Sequence, residues 1–499
     1  MILKNRLKVG SSLIAIAALL FTGSVFAQSK NVFHDRGFWA KQPSIETIEA
    51  KIAEGNDILE MGPGGWDGTL LAIMADNPFE TVKHLVDKGP DVNQMTHHSN
   101  NYIMWTAMKG NLPVMELLLE KGSRTDLINS HGQSLLMHVA QSGKADKELY
   151  EFCFANGADI VNDRDENGRN VAQVAVGRLK DLSFLDYFVE KGLSLDTKDK
   201  NGNGLFHAAV SSGKVSTLKG LVAKGISYEP NTQTGENAFN FVGGGRSASV
   251  SFELLEYLKS LGLNPANVTT EGQSALHNLA GRVKDTEVFD FFLEAGLDAN
   301  TANADGETPL LLAASRGSKE VVAYWLAKSN DVNAKNNKGQ TALALAVAGN
   351  NSTEVLDLLV EKGGKVNWEN GQGNNLTYVL TSSFRGNLKD YTEKLGYLKS
   401  KGVSTKGQAL LHIAIEKGEF DLLRYLLETG ADINQVNADG YTPLHFAAMN
   451  SKDTGMLKFL VNNGGDTEKK TEFEESVHDL AAENEALQNT DISFLKAGK

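Results

Sequence analysis

Cysteine is what this sequence has least of. Cys153 is the only one among 499 residues, so no disulfide can form within the chain and its fold must be held by packing alone. A long apolar run is also missing. The best candidate, residues 13–21 (LIAIAALLF), is too short to cross roughly 30 Å of hydrocarbon, and no other stretch could do so. There is no excess of basic charge either. The formal net charge is −13, which disfavours nucleic acid and anionic membrane surfaces, because both demand clustered Lys and Arg. A basic or mixed partner suits it better. No nucleophile elbow, zincin helix, Walker spacing or dinucleotide fingerprint occurs, so neither a catalytic centre nor a cofactor is implied.

What remains is the composition of a folded protein, 41% hydrophobic and 22% charged, with a leader in front. Lys4, Arg6 and Lys8 precede the short apolar run, and Val25-Phe26-Ala27 puts compact residues where signal peptidase acts. This predicts a secretory signal peptide over residues 1–27, cut after Ala27. Cleavage removes those three positive charges and no negative one, taking −13 to −16. Export without disulfides fits a bacterial periplasm or secretome, so a periplasmic or secreted protein is expected, with no membrane insertion after cleavage.

The rest of the chain repeats one pattern. In residues 421–445, Leu422, Leu423, Leu426 and Leu427 share a helical face and Gly430 ends the helix. Asn437-Ala438-Asp439-Gly440 reverses the backbone, and Thr442-Pro443 caps and starts the next helix. Twelve such stops follow one another: Gly89, Gly122, Gly157, Gly192, Gly225, Gly262, Gly296, Ser329, Gly363, Gly402, Gly430 and Gly464. Four residues before each stands an apolar residue or, once, Cys153; the spacing is mostly 33 to 37. That is the ankyrin period and close to the tetratricopeptide one.

The segment after the stop separates the two families. Asp305-Gly306-Glu307-Thr308-Pro309-Leu310 and Asp439-Gly440-Tyr441-Thr442-Pro443-Leu444-His445 resemble the ankyrin motif, a DG turn followed by TPLH. Ala431-Asp432-Ile433-Asn434 and Asp331-Val332-Asn333 resemble the family's connector. The resemblance covers roughly residues 40–497. It implies an all-α repeat solenoid of helix-turn-helix repeats with short projecting β-hairpin loops. On that reading residues 28–64 form an N-terminal capping region, 65–472 the repeat array and 473–499 a C-terminal capping helix region. The array is irregular at 370–407, where no TPLH is recognisable, extra residues accumulate around 381–394, and the connector from Gly402 to Gly407 is too short for a hairpin.

Several residue types invite a chemical reading and receive a plainer one. His207, His277, His412 and His445 each fall five residues after a turn glycine, the position at which the family's imidazole bridges repeats through backbone hydrogen bonds. His97-His98 lacks a third ligand, Cys153 sits in a core slot, and the glycines of Gly243–Ser247 lack the Walker lysine, so no metal, nucleophile or phosphate cradle is predicted. Trp66, Tyr102, Trp368 and Tyr441 fall at or beside predicted loop tips, where large side chains favour partner contacts. Gln133, Arg169, Glu236, Gln273, Glu307 and Gln340 are the accompanying polar candidates. The function expected is a non-enzymatic, monomeric binding module that holds an unidentified protein or peptide on its concave face and tips. A structural spacer of the cell envelope is the alternative, and a small-molecule receptor or enzyme using 370–407 stands behind both.

Overall fold

The computed structural model describes residues 31–62, 64–245 and 250–496. The predicted signal peptide and Arg246-Ser247 lie outside the described residues. By contacts the chain divides into two units, Met1–Ser130 and His131–Lys499.

In the first unit, two helix pairs stack: Gly68–Met74 with Phe79–Val86, and Tyr102–Lys109 with Leu112–Glu120. Ahead of them, in the expected capping region, stands a cover that includes the helix Ile45–Ala53. Two further short helices, Val32–His34 and Arg36–Ala40, bring Phe33 and Trp39 into a cluster with Ile48, Leu71 and Leu85. The indole N–H of Trp39 donates to the Phe33 carbonyl at 2.9 Å, so this cap is closed by aromatic burial and not by polar residues alone.

The second unit is a series of helix pairs, and each first helix packs on the next first helix: Leu135–Ser142, Val171–Ala175, Leu205–Val210, Ala238–Phe241, Ala275–Leu279, Pro309–Arg316, Ala342–Gly349, Leu376–Ser382, Leu410–Glu416, Pro443–Asn450 and Val477–Glu483. Ala238–Phe241 is a 3-10 turn, followed by Gly243-Gly244-Gly245. The last helix is held by a capping box from Ser476 and Asp479, and turns beyond it bury Leu487 and Leu495.

Across both units the residue four before each stop is at most 1% exposed. Each contributes roughly 2 kcal/mol through removal of apolar surface from water. Eleven of the stops are glycines with positive φ, the left-handed end that a Cβ would oppose. Ser329 differs: its φ of −83° and ψ of 138° turn the chain into extended backbone. No strand occurs among the described residues, only three isolated bridges, Gly62↔Trp66, Val268↔Ser274 and Glu369↔Asn375. The projecting loops are thus tight turns that close on one or two hydrogen bonds before the chain leaves for the next helix.

Candidate functional site

The most regular surface of the second unit is the row of turns that precede its first helices. Most are built from an Asp, Asn or Thr, two further residues, a glycine and one residue more; Ser404 takes the first place before Gly407, and Glu474, with φ +62°, takes the glycine's place in the last turn. In the turn from Asp165 to Arg169, the Asp165 N–H donates to the Arg169 carbonyl at 3.1 Å. The Asp165 carboxylate accepts from the N–H groups of Asn167 and Arg169 at 3.0 and 2.9 Å. Asp199, Asn303, Asn336, Asn370 and Asn437 make the same paired contacts two and four residues ahead. A short side-chain acceptor mimics a backbone turn in this way, and glycine at the fourth place takes the positive φ.

Successive turns are tied to one another. The N–H of Glu166 donates to the His131 carbonyl, Lys200 to Asn167, Thr270 to Thr234, Ala304 to Glu271 and Asn337 to Asp305, at 2.7–2.9 Å. Where the next such bond would fall, the indole N–H of Trp368 reaches the Gly339 carbonyl at 2.9 Å instead. The two residues between the side-chain acceptor and the glycine are left outward, and Glu166, Lys200, Glu271, Asp305, Lys338 and Asp439 are all exposed. Below the tips, the fourth residue after the helix cap is a half-exposed apolar side chain in several repeats, as at Phe241, Leu312, Leu345 and Phe446.

This geometry moves the candidate residues. Tyr102 is not at a tip: it begins the helix Tyr102–Lys109, is 1% exposed, and donates its hydroxyl to Asp67, whose carboxyl burial pushes above the usual range. Trp368 is buried because its indole forms the link just described. Gln133 is also buried, and its side-chain carbonyl accepts from Gln141 at 2.8 Å. These three are therefore withdrawn from the exposed set. Trp66 is half-buried, with Trp105 4.8 Å from its ring and Arg36 5.0 Å above it. Arg169, Glu307, Gln340 and Tyr441 occupy the place after the turn glycine and are half-buried, since their N–H groups point back into the turn. Arg169 also holds the buried Asp165 carboxylate, at 2.8 and 2.7 Å. Glu236 accepts from the Asn203 amide at 3.1 Å, and Gln273 from the Asn303 amide at 3.0 Å. The tip doublet was the residue pair that sequence reasoning missed. The signal for it was present: in most repeats an Asp, Asn or Thr stands three residues before the turn glycine.

The histidines divide. Nε2–H of His277, His412 and His445 donates to the carbonyls of Thr301, Tyr441 and Lys469 at 3.0, 2.8 and 2.9 Å. Nδ1 of His277 and His445 accepts the N–H of the helix cap, which fixes the neutral tautomer. Burial depresses all three pKa values. His207 breaks the pattern. It is buried 5.4 Å from the Phe241 ring, neither nitrogen has a hydrogen-bond partner, and burial pushes it down to about 4. It lines a cavity of about 260 Å³ with Arg169, Asn201, Asn203 and Glu236.

Elsewhere, burial raises the Cys153 thiol to about 12, leaving no thiolate near neutral pH. Among the described residues no group of three or more His, Cys, Asp or Glu is placed to hold a metal ion, and no helix is long and apolar enough to cross a membrane.

Comparison with known proteins matches the family described as "Ankyrin repeats (many copies)" at residues 411–461. "Ankyrin repeats (3 copies)" matches at residues 69–162, 247–336 and 276–370. The chain is 32% identical over 148 residues to an L-asparaginase of Dirofilaria immitis, covering 29% of this chain and 24% of that protein. It is 23% identical over 339 residues to alpha-latroinsectotoxin-Lt1a of Latrodectus tredecimguttatus, covering 64% and 23%. It is 23% identical over 282 residues to the phosphocholine transferase AnkX of Legionella pneumophila, covering 56% and 26%. The matches thus span about a quarter of the length of these relatives. Among solved structures, the human ASB11 ankyrin repeat domain aligns at 20% identity with a TM-score of 0.37, over 46% of this chain and all of that one.

Proposed function

The chain belongs to the ankyrin repeat family, and from that premise we propose that it is an exported, non-enzymatic module holding a protein or peptide on the tip doublets and the half-exposed apolar residues beneath them. Ankyrin repeats are protein-interaction modules, and the family is typically non-enzymatic. The observation that carries the reading is the backbone bonding between successive turns. It holds the backbone of Glu166, Lys200, Glu271, Asp305 and Lys338 in a fixed order, with the Lys200 ammonium on the Glu166 carbonyl and the Glu166 carboxylate on His131 adding to the row, so a partner loses little entropy in finding these exposed side chains. Leu312, Leu345 and Phe446 add the apolar area that a polar rim lacks. The leader supports export, with residue 28 as the first of the mature, monomeric form.

The test is capture from an envelope extract by the mature protein, with N-terminal sequencing of the exported form. Replacing Glu166, Lys200, Glu271 and Lys338 together by Ala is expected to abolish capture. Replacing the exposed second-helix residues Glu354 and Arg424 is expected to leave it intact. Equal capture by the tip variant would sink the proposal.

A further inference from the structure

The irregular repeat does something that the others do not. Its second helix, Leu388–Ser400, has 13 residues, where the second helices on either side, Thr353–Glu361 and Phe420–Glu428, have 9 each. The extra turn stands beside the C-terminal ends of the two preceding first helices. Between them lies a cavity of about 540 Å³, within the range of small-molecule sites. The turns of the partner-binding proposal feed the opposite, N-terminal ends of those helices.

The lining is unusual for a chain with thirteen excess acidic charges. Lys394 is 3% exposed and paired with Asp390 at 3.1 Å, so these two groups neutralise one another and form a fixed wall. Arg316 and Arg385 also line the cavity, are themselves exposed, and have no ion-pair partner among the described residues. Leu380, Phe384 and Tyr391 supply an apolar floor, and the Tyr391 ring is held edge-on to Phe384 at 5.6 Å. First-helix C-termini ending here carry about half a negative charge each. The Asn350 amide already takes the Ala314 and Gly317 carbonyls at 3.1 and 2.9 Å, which quenches one of them. Two unpaired guanidinium charges therefore prevail.

We propose that this cavity binds a small organic anion, with its carboxylate or phosphate held by Arg316 and Arg385 and its apolar body laid on Phe384 and Leu380. Guanidinium suits this role because its planar fork pairs with either oxyanion through two hydrogen bonds. The apolar floor asks for a ligand with carbon skeleton, not a bare inorganic ion.

Ligand-observed NMR on the purified chain tests it with three probes of one body and different heads: benzoate, phenyl phosphate and neutral benzamide. Saturable binding of at least one anion is expected, with benzamide weaker by about tenfold or more. The anion that binds identifies which head the site takes. The double variant Arg316→Gln, Arg385→Gln should lose the anion by a similar factor while keeping the wild-type circular dichroism, because both side chains are exposed. The proposal is overturned if neither anion binds saturably, if benzamide binds as well as the anions, or if the double variant binds them undiminished. None of these results bears on the tip doublets, which lie at the other end of the helices.

Discussion

At the scale of single residues, the histidines show how one sequence position can carry opposite energetics. His445 is fully buried and uses both nitrogens. Its replacement by Ala opens a cavity and leaves the Lys469 carbonyl unpaired, so His445→Ala is expected to cost about 2–4 kcal/mol, read by urea unfolding. His207 occupies the same register with no partner to lose. His207→Leu is expected to be neutral or stabilising by up to about 1 kcal/mol, since an apolar group of similar shape removes a buried unsatisfied one. Acid reports on the buried histidines as well. His138 and His207 are pushed by burial down to about 4, below the unfolded value near 6.5. As pH falls from 6.5 towards 4, the unfolded chain takes up protons that the folded chain does not, and stability drops. The urea midpoint should be lower at pH 5.0 than at pH 7.5, and the drop should be smaller in His207→Leu. An equal drop in both proteins would contradict the assignment.

At the scale of elements, the helix stop was the most legible feature of the sequence, because one backbone requirement selects one residue type. Gly430 has φ +91°, and Gly430→Ala is expected to destabilise by about 1–2 kcal/mol through left-handed strain. Ser329 holds ordinary extended backbone, so Ser329→Gly relieves nothing and frees the unfolded chain, costing about 0.5–1 kcal/mol. Thermal unfolding of the two variants checks both signs. The tips were less legible. Aromatic residues near a turn read as exposed when only chain order is known, but Trp368 and Tyr102 are drawn inward by an acceptor from elsewhere in the chain, Gly339 and Asp67. The short N-terminal helices escaped notice for a related reason. Five residues, as in Arg36–Ala40, are too few to show a period, and Phe33 and Trp39 declare themselves only by meeting Ile48 and Leu71.

At the scale of the whole molecule, the contacts are local in kind. Within the second unit the first helices touch their neighbours in the series and, in most repeats, their own second helix, so stability is set by repeat and interface contributions that damage spreads through only gradually. Leu398 is fully buried in the lengthened helix. Leu398→Ala is expected to lower amide protection by about 2–4 kcal/mol in residues 355–426, with residues 135–210 unchanged in hydrogen-exchange mass spectrometry. A uniform loss throughout that unit would show global cooperativity and contradict the nearest-neighbour account.

The bonds that tie one turn to the next run chiefly from main chain to main chain; Lys200, Thr270 and Asn337 add a side-chain bond to the preceding turn and Glu166 adds one to His131, whereas Asn167, Glu271 and Asp305 contribute only their carbonyls. Identity at Asn167, Glu271 and Asp305 is therefore decoupled from folding. A library randomised at residues 167, 271 and 305 should express as readily as the parent, and selection from it could redirect what the protein captures without rebuilding what holds it up.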